Sequence, residues 1–470
     1  MFFPNCGRGC DGRDARDRTD GGLAGLFCPR RPECRPMTIH ALRARLALAP
    51  PALFTAYATT AAFATYFCMY AFRKPFAAGT YEGSVALGAL GTVDFKVLFI
   101  ISQVFGYALS KFIGIKVVSE LEHRHRALAI LVCIGIAEIA LVGFALLPTP
   151  YNALALVLNG LPLGMVWGLV FGFLEGRQTS DLLGAGLCAS FIVASGFVKT
   201  VGLWLIALGV SEYWMPAVTG AVFSLPLLVA VLGLYTLPPP SPLDEEQRTR
   251  RKPMDSTERW QFFLSFAPGL IAITLMYAGL TAYRDLRDNY AKELWMALGW
   301  QEAPSILTAA ELPVAFGSLV LVAALIFIRD NRYAVVAIHL MMALGGALIV
   351  GSTFAFQAGV LPPVAWMILV GLGLYLGYVP NNCIMFDRLL AAAKWTGTAG
   401  FLIYLVDAFG YLASVAALLY KNFGQPDLQW LEFFVAGSYV TGVLCIALSG
   451  VSAAYFWRRL EPERVLERRS

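Results

Sequence analysis

Twelve stretches of roughly 20 apolar residues recur between residues 50 and 457, and each is long enough to cross about 30 Å of hydrocarbon as a helix. They lie at about 50–75, 95–118, 127–147, 151–174, 183–208, 214–237, 262–292, 304–328, 333–356, 362–386, 397–420 and 431–457. Pro148-Thr149-Pro150, Leu361-Pro362-Pro363 and Gly424-Gln425-Pro426 punctuate short turns between them. A soluble fold of 470 residues with 58% hydrophobic and 14% charged residues has nowhere to hide that much apolar surface. The chain reads as an all-α membrane protein of about twelve transmembrane helices.

One long polar stretch, residues 238–260, divides the spans six and six. It carries three consecutive prolines from Pro238, then Asp244-Glu245-Glu246, Arg248, Arg250, Arg251 and Lys252, the composition of a flexible linker. The expected units are a six-helix half at 49–237, the linker, a second half at 261–457 and a basic tail at 458–470. Residues 1–48 read as a tail, disordered or translated ahead of a start at Met37. Cys6, Cys10, Cys28 and Cys34 in that tail match no zinc spacing and have no neighbouring histidine, so no metal is expected. The other five cysteines lie singly in apolar runs, as small buried hydrophobes do.

Basic residues orient the chain. With a cytoplasmic N-terminus, the inner loops hold Arg43, Arg45, Lys116, Arg124, Arg126, Arg177, the linker cluster, Arg259, Arg329, Arg332, Arg388, Lys394 and the basic tail. The loops joining spans three and four, and nine and ten, carry no Lys or Arg. The expectation is a multi-pass protein of a bacterial inner membrane with both termini in the cytoplasm.

The two halves repeat. Arg73-Lys-Pro-Phe-Ala77 and Arg287-Asp-Asn-Tyr-Ala291 share R-x-x-[F/Y]-A at an offset of 214, and Ala185-Gly186 recurs as Ala399-Gly400 at the same offset. Gly160-Leu-Pro-Leu-Gly164 recurs as Gly373-Leu-Tyr-Leu-Gly377, one residue closer. An even number of spans per copy makes the copies parallel, the arrangement of two six-helix halves around a central cavity in transporters of the major facilitator type.

A charge in hydrocarbon costs about 2.5–3.5 kcal/mol on insertion scales, so those inside the spans are the candidates for function. The basic ones are Arg73, Lys111, Lys199, Arg284 and Arg287; the acidic ones are Glu138, Asp285, Asp288, Glu311 and Asp407. As repeat equivalents, Arg73 and Arg287 are expected to oppose each other across the cavity and clamp an anion, because a guanidinium makes bidentate contacts with phosphate or carboxylate. In the alternative, the arginines are neutralised along their own helix, Arg284 pairing with Asp288 at i, i+4. Lys111 either assists the anion or snorkels to the cytoplasmic surface. Lys199 is a further candidate for substrate binding; in the alternative, it and Asp407, on opposite halves, neutralise one another. Asp407, Glu138 and Glu311 are candidate proton carriers. Tyr70 stands one helical turn before Arg73, where its phenol can line the same cavity.

Three segments carry a family resemblance. Tyr70-Ala-Phe-Arg73-Lys74-Pro-Phe-Ala77, Tyr107-Ala-Leu-Ser110-Lys111-Phe-Ile113 and Gly160 to Gly164-Met-Val-Trp167 resemble motifs in helices one, two and four of organophosphate:phosphate antiporters. The resemblance implies a phosphate site made of Arg73, Lys111 and one of Arg287 or Arg284. It departs at helix five, where Ser195, with Lys199 one turn on, stands in place of a histidine. It departs again after span two, where the facilitator loop motif is reduced to Glu120-Leu-Glu-His-Arg-His-Arg126. Across residues 50–457 the chain is more similar to an uncharacterised bacterial family of facilitator-like proteins, domain of unknown function 5690, which implies the fold and no substrate.

These readings converge on a secondary transporter of a small organic anion, a phosphorylated metabolite in the first instance, working by alternating access through exchange or a proton gradient. Its expected partners are that anion and the lipid bilayer, with no nucleic acid and no cofactor, and it is expected to act as a monomer. The alternative is a receptor that binds a ligand in the same cavity without transporting it. Enzymatic chemistry has little support: no G-x-x-x-x-G-K-[ST], H-E-x-x-H or G-x-S-x-G occurs, and His123 and His125 sit in a loop.

Overall fold

A computed structural model describes residues 39–86, 91–175, 177, 179–239, 256–300, 304–395 and 399–460. The four N-terminal cysteines, Met37 and the basic linker cluster lie outside the described residues. Twelve helices are long and apolar enough to cross a membrane. In chain order they are α1 (Pro51–Met69), α2 (Phe95–Glu120), α3 (His123–Leu146), α4 (Asn152–Phe171), α5 (Ser180–Ala207) and α6 (Met215–Tyr235) in the first half. The second half holds α7 (Ser256–Asn289), α8 (Ile306–Ala324), α9 (Asn331–Gln357), α10 (Pro363–Cys383), α11 (Ala399–Leu419) and α12 (Trp430–Arg459). An even number of crossings brings the chain back to the side on which α1 starts. That side is called here the termini end.

Two features depart from the sequence reading. Within the stretch before α1, Ile39–Ala47 forms a short helix, and Arg43 from it donates to the Tyr235 carbonyl at 2.6 Å. At the opposite end, Ser84–Ala86 and Thr92–Asp94 pair as a small antiparallel ribbon between α1 and α2. That end is called the hairpin end.

The packing repeats with the sequence. In the first half α1 lies against α5 and α6, and α4 against α2 and α3. In the second half α7 lies against α11 and α12, and α10 against α8 and α9. Adding six to each label of the first set gives the second, as two parallel copies require. The halves meet along two seams, α2 on α11 and α5 on α8, which exchange under the same operation. Glycine permits the closest crossings. A Cβ on Gly160 of α4 would come within 2.3 Å of the Gln103 carbonyl on α2. One on Gly196 of α5 would come within 2.0 Å of the Leu307 carbonyl on α8.

α1 does not run straight through. It tightens into a 3₁₀ turn at Tyr70–Phe72, and Pro75, which has no N–H to offer the preceding turn, starts a second one. The break frees the carbonyls of Phe72 and Arg73 inside the protein, where an unpaired carbonyl costs several kcal/mol in hydrocarbon. Two amides from other helices satisfy them. Asn159 Nδ2 donates to Phe72 O at 3.0 Å and Gln103 Nε2 to Arg73 O at 2.7 Å, while Gln103 also donates to Asn159 Oδ1 at 2.8 Å. The break aims Arg73 inward.

Candidate functional site

Three layers of ionic and aromatic groups fill the space between the halves. Nearest the termini end, Lys111 Nζ of α2 lies 2.9 Å from Asp407 Oδ2 of α11, across the first seam. The other carboxylate oxygen of Asp407 accepts from the Tyr277 hydroxyl, which in turn accepts from Asn382 Nδ2 at 3.0 Å. Lys111 is 2% exposed, so it does not snorkel to the surface. Beside this pair, Tyr404 of α11 crosses the seam into the room left by Gly114 on α2 and Gly168 on α4.

The middle layer holds two arginines around one phenol. The Arg73 guanidinium carbon sits 3.7 Å from the Tyr107 ring centre, 5.7 Å from Tyr70 and 5.6 Å from Tyr411. Arg284, on the other side of Tyr411 at 5.3 Å, donates to the Tyr411 hydroxyl at 3.0 Å and to that of Tyr378. Its charge is met by Asp285 at 2.7 Å, whose second oxygen accepts from Ser414 at 2.8 Å. A small cavity opens here, with Tyr70, Tyr107, Trp167, Arg284 and Tyr411 in its wall. The indole N–H of Trp167 is buried there without an acceptor.

Toward the hairpin end, Asp288 of α7 is shared by two lysines from the other half. Lys74 Nζ approaches at 2.5 Å and Lys199 Nζ at 2.6 Å, and Ser195 donates to the same carboxylate. Arg287 turns into the second seam, 2.7 Å from Glu311 of α8 and 3.1 Å from the Met367 carbonyl. A second small cavity lies between Lys199, Arg287, Glu311 and Tyr375. Beyond it, Lys96 pairs with Glu293.

Several expectations change. Arg73 and Arg287 do not oppose each other across one cavity. They are equivalent under the repeat, so each faces its own seam, Arg73 the α2–α11 seam and Arg287 the α5–α8 seam. The arginine in the wall of the tyrosine cavity is Arg284, while Arg73 lies against three of that wall's tyrosines, Tyr70, Tyr107 and Tyr411. Asp288 pairs with Lys74 and Lys199, not with Arg284, which turns to its immediate neighbour Asp285. Asp407 and Lys199 do not neutralise each other, because each has a closer partner. Glu138 lies between α3 and α6, away from both cavities. Lys74 and Tyr277 went unrecognised. Lys74 adjoins Arg73 at the end of a span, where a lysine ordinarily reaches the membrane surface, and its burial at 2% exposure is a product of the break in α1.

The charges leave a remainder. Six buried cations (Arg73, Lys74, Lys111, Lys199, Arg284 and Arg287) stand with four carboxylates (Asp285, Asp288, Glu311 and Asp407). Two lysines share Asp288, and Arg73 has no carboxylate within ion-pair distance among the described residues. Its Nε is buried without an acceptor although the group is 2% exposed. An uncompensated guanidinium this deep is costly, and an anion entering the tyrosine cavity would relieve the cost.

Two solved structures are similar to this one throughout their length. The crystal structure of a D-xylose-proton symporter matches with a TM-score of 0.55 and 15% identity, over 87% of this chain and 97% of the other. The proton:xylose symporter XylE of the major facilitator superfamily, bound to 6-bromo-6-deoxy-D-glucose, matches with a TM-score of 0.56 and 16% identity, over 86% and 94%. At such identities the likeness establishes the fold: this is a major facilitator fold. No curated protein matches the sequence. The model of one family, described as a family of unknown function (DUF5690), matches residues 75–459, and with more than half its length inside that match the chain belongs to the DUF5690 family.

Proposed function

We propose that the protein is a secondary transporter that moves a small organic anion by alternating access, with the anionic group held by Arg284 in the tyrosine cavity and by Arg73, which stacks on that cavity's tyrosines. The observation that carries this reading is the buried guanidinium of Arg73, which has cation–π contacts and, among the described residues, no counter-ion. A phosphorylated metabolite suits the excess of two buried cations over carboxylates, since a phosphomonoester carries about −1.5 to −2 near neutral pH. The indole N–H of Trp167 offers a donor to the rest of the ligand. Lys111 and Tyr70 complete the wall, while Arg287 and Lys199 belong to the second cavity on the hairpin side.

The layers also supply gates. Lys111–Asp407 ties the halves together toward the termini end, and Lys74 and Lys199 tie them to Asp288 toward the hairpin end. Opening to one side requires one set to separate while the other holds. The basic residues at the termini end, among them Arg43, Arg124, Arg332 and Arg458, support a cytoplasmic position for that end, in keeping with a bacterial inner-membrane protein.

Counterflow in proteoliposomes tests the reading, with inorganic phosphate, a phosphomonoester and a dicarboxylate as probes. Wild type should exchange at least one of them, and Arg73→Ala should weaken its apparent affinity at least tenfold, because a hydrogen bond to a charged group contributes about 1.5–3 kcal/mol. Exchange by Arg73→Ala at wild-type affinity would refute the assignment of Arg73.

A further inference from the structure

Glu138 is a mid-span carboxylate that takes no part in the ionic layers. It stands midway along α3, between Ile136 and Ile139, whose side chains are exposed on the outer surface of the bundle at 40% and 71%. Its Oε2 is buried and accepts no hydrogen bond. The carboxyl fits because position 220 on α6 is glycine. A Cβ there would come within 2.2 Å of Oε2 and 3.0 Å of the Phe72 ring. Two helices and the broken end of α1 therefore meet at this oxygen, while the residue as a whole is half-buried.

Nothing nearby compensates a negative charge. α4 and α6 contain no Asp, Glu, Lys, Arg or His at all. On α3 the nearest titratable side chain is Cys133, five residues away, and the other charged groups are at its first turn. The 3₁₀ turn of α1 offers Tyr70 and then Arg73, which is engaged with tyrosine rings. No ion pair reaches Glu138 among the described residues, whereas Asp285, Asp288, Glu311 and Asp407 each touch a cation. In hydrocarbon a carboxyl without a counter-ion keeps its proton.

The same place is mechanically joined to Arg73. The carbonyl of Ala137, next to Glu138, accepts from Asn159 Nδ2 at 3.0 Å, and that amide also holds the Phe72 carbonyl. Gln103, bonded to Asn159, holds the Arg73 carbonyl. If the proton leaves, Oε2 becomes a charge packed against α6 and near the Phe72 ring, and its move toward water shifts α3 against both. That movement slackens the turn that aims Arg73 at the cavity's tyrosines.

Building on the transport reading above, we infer that Glu138 is a proton-binding site linked to the anion site: with the proton bound, Arg73 is held ready for the anion, and release of the proton loosens the Tyr70–Lys74 turn. The linkage makes anion and proton travel together. Two ligand-free measurements test it in the full chain in detergent. In infrared difference spectra, wild type should show the carbonyl stretch of a protonated carboxyl that vanishes as pH is raised, and Glu138→Gln should lack that change. Hydrogen exchange at the Tyr70–Lys74 turn should run roughly tenfold or more faster in wild type than in Glu138→Gln at the same alkaline pH, the two converging at low pH. Glu138→Leu, also uncharged, should behave as Glu138→Gln does, which separates the charge from any packing defect. Identical spectra, or turn protection that tracks pH equally in wild type and both variants, would overturn the inference. Absence of anion exchange by wild type in proteoliposomes would instead overturn the transport reading and leave these two measurements standing.

Discussion

The Lys111–Asp407 pair gives the most direct test of the layered core. At 2.9 Å, two unit charges in a medium of effective dielectric about 20 attract by about 6 kcal/mol before desolvation is counted. Desolvating both groups offsets much of that, yet removing one partner of a buried pair typically costs about 3–5 kcal/mol because the survivor stays buried and uncompensated. In Asp407→Leu the ammonium of Lys111 would keep the rings of Tyr107, Tyr404 and Tyr411 at 5.1, 5.0 and 5.9 Å. Each ring is worth about 0.5–1 kcal/mol, which places the expected loss at the low end, about 3 kcal/mol. The double variant Lys111→Met with Asp407→Leu restores volume without charge and should recover most of it, leaving a coupling of at least about 2 kcal/mol. Denaturant and thermal unfolding of wild type, both single variants and the double in detergent provide the cycle. If the two single losses simply add in the double, the pair is not coupled and the gate assigned to it has no energetic basis.

Two further predictions concern the scaffold that aims the site. Asn159→Leu removes the donor to Phe72 O and Ala137 O and strands Gln103, so it should destabilise the chain by about 2–4 kcal/mol, with the loss in hydrogen-exchange protection centred on residues 70–74; uniform loss of protection along α1 would contradict the role of Asn159 at the break. Glu212, half-buried at the hairpin end, would be raised by burial, but the Thr80 hydroxyl and the backbone N–H groups of Thr80 and Tyr81 hold it below its ordinary value of 4.5. A carboxyl lowered in this way stabilises the folded state above about pH 4.5 and loses that contribution as pH falls through its folded value. Protection of the Ser84–Asp94 ribbon should therefore drop in acid for wild type and stay flat for Glu212→Gln.

The spans were legible in the sequence because their signal is local: a run of roughly 20 apolar residues announces a crossing whatever its neighbours do. The repeat was legible for a related reason, since two copies of one packing solution keep small residues and charges at matching distances along the chain. The residues that should not lie in hydrocarbon could also be named, because a charge in an apolar run needs no structure to be conspicuous. Which charge meets which was not legible. Arg284 and Asp288 share a helix face, and spacing favoured them as partners. Yet Asp288 faces two lysines from the other half, and a contact across a seam leaves no trace in the spacing of one helix.

Tertiary structure decided the remainder through helix rotation and one break. Because Pro75 and the 3₁₀ turn end α1 early, Arg73 and Lys74 point inward to different layers, one to tyrosines and the other to Asp288. Because the repeat axis carries Arg73 onto Arg287, the two arginines face separate seams, and Arg284 becomes the neighbour of Arg73 around Tyr411. The sequence by itself determined that the chain would cross a membrane twelve times in two parallel copies, with a small set of buried charges. Only the packed helices determined that one guanidinium among them would be left without a counter-ion, since a net charge in a cavity is a sum over side chains from both halves.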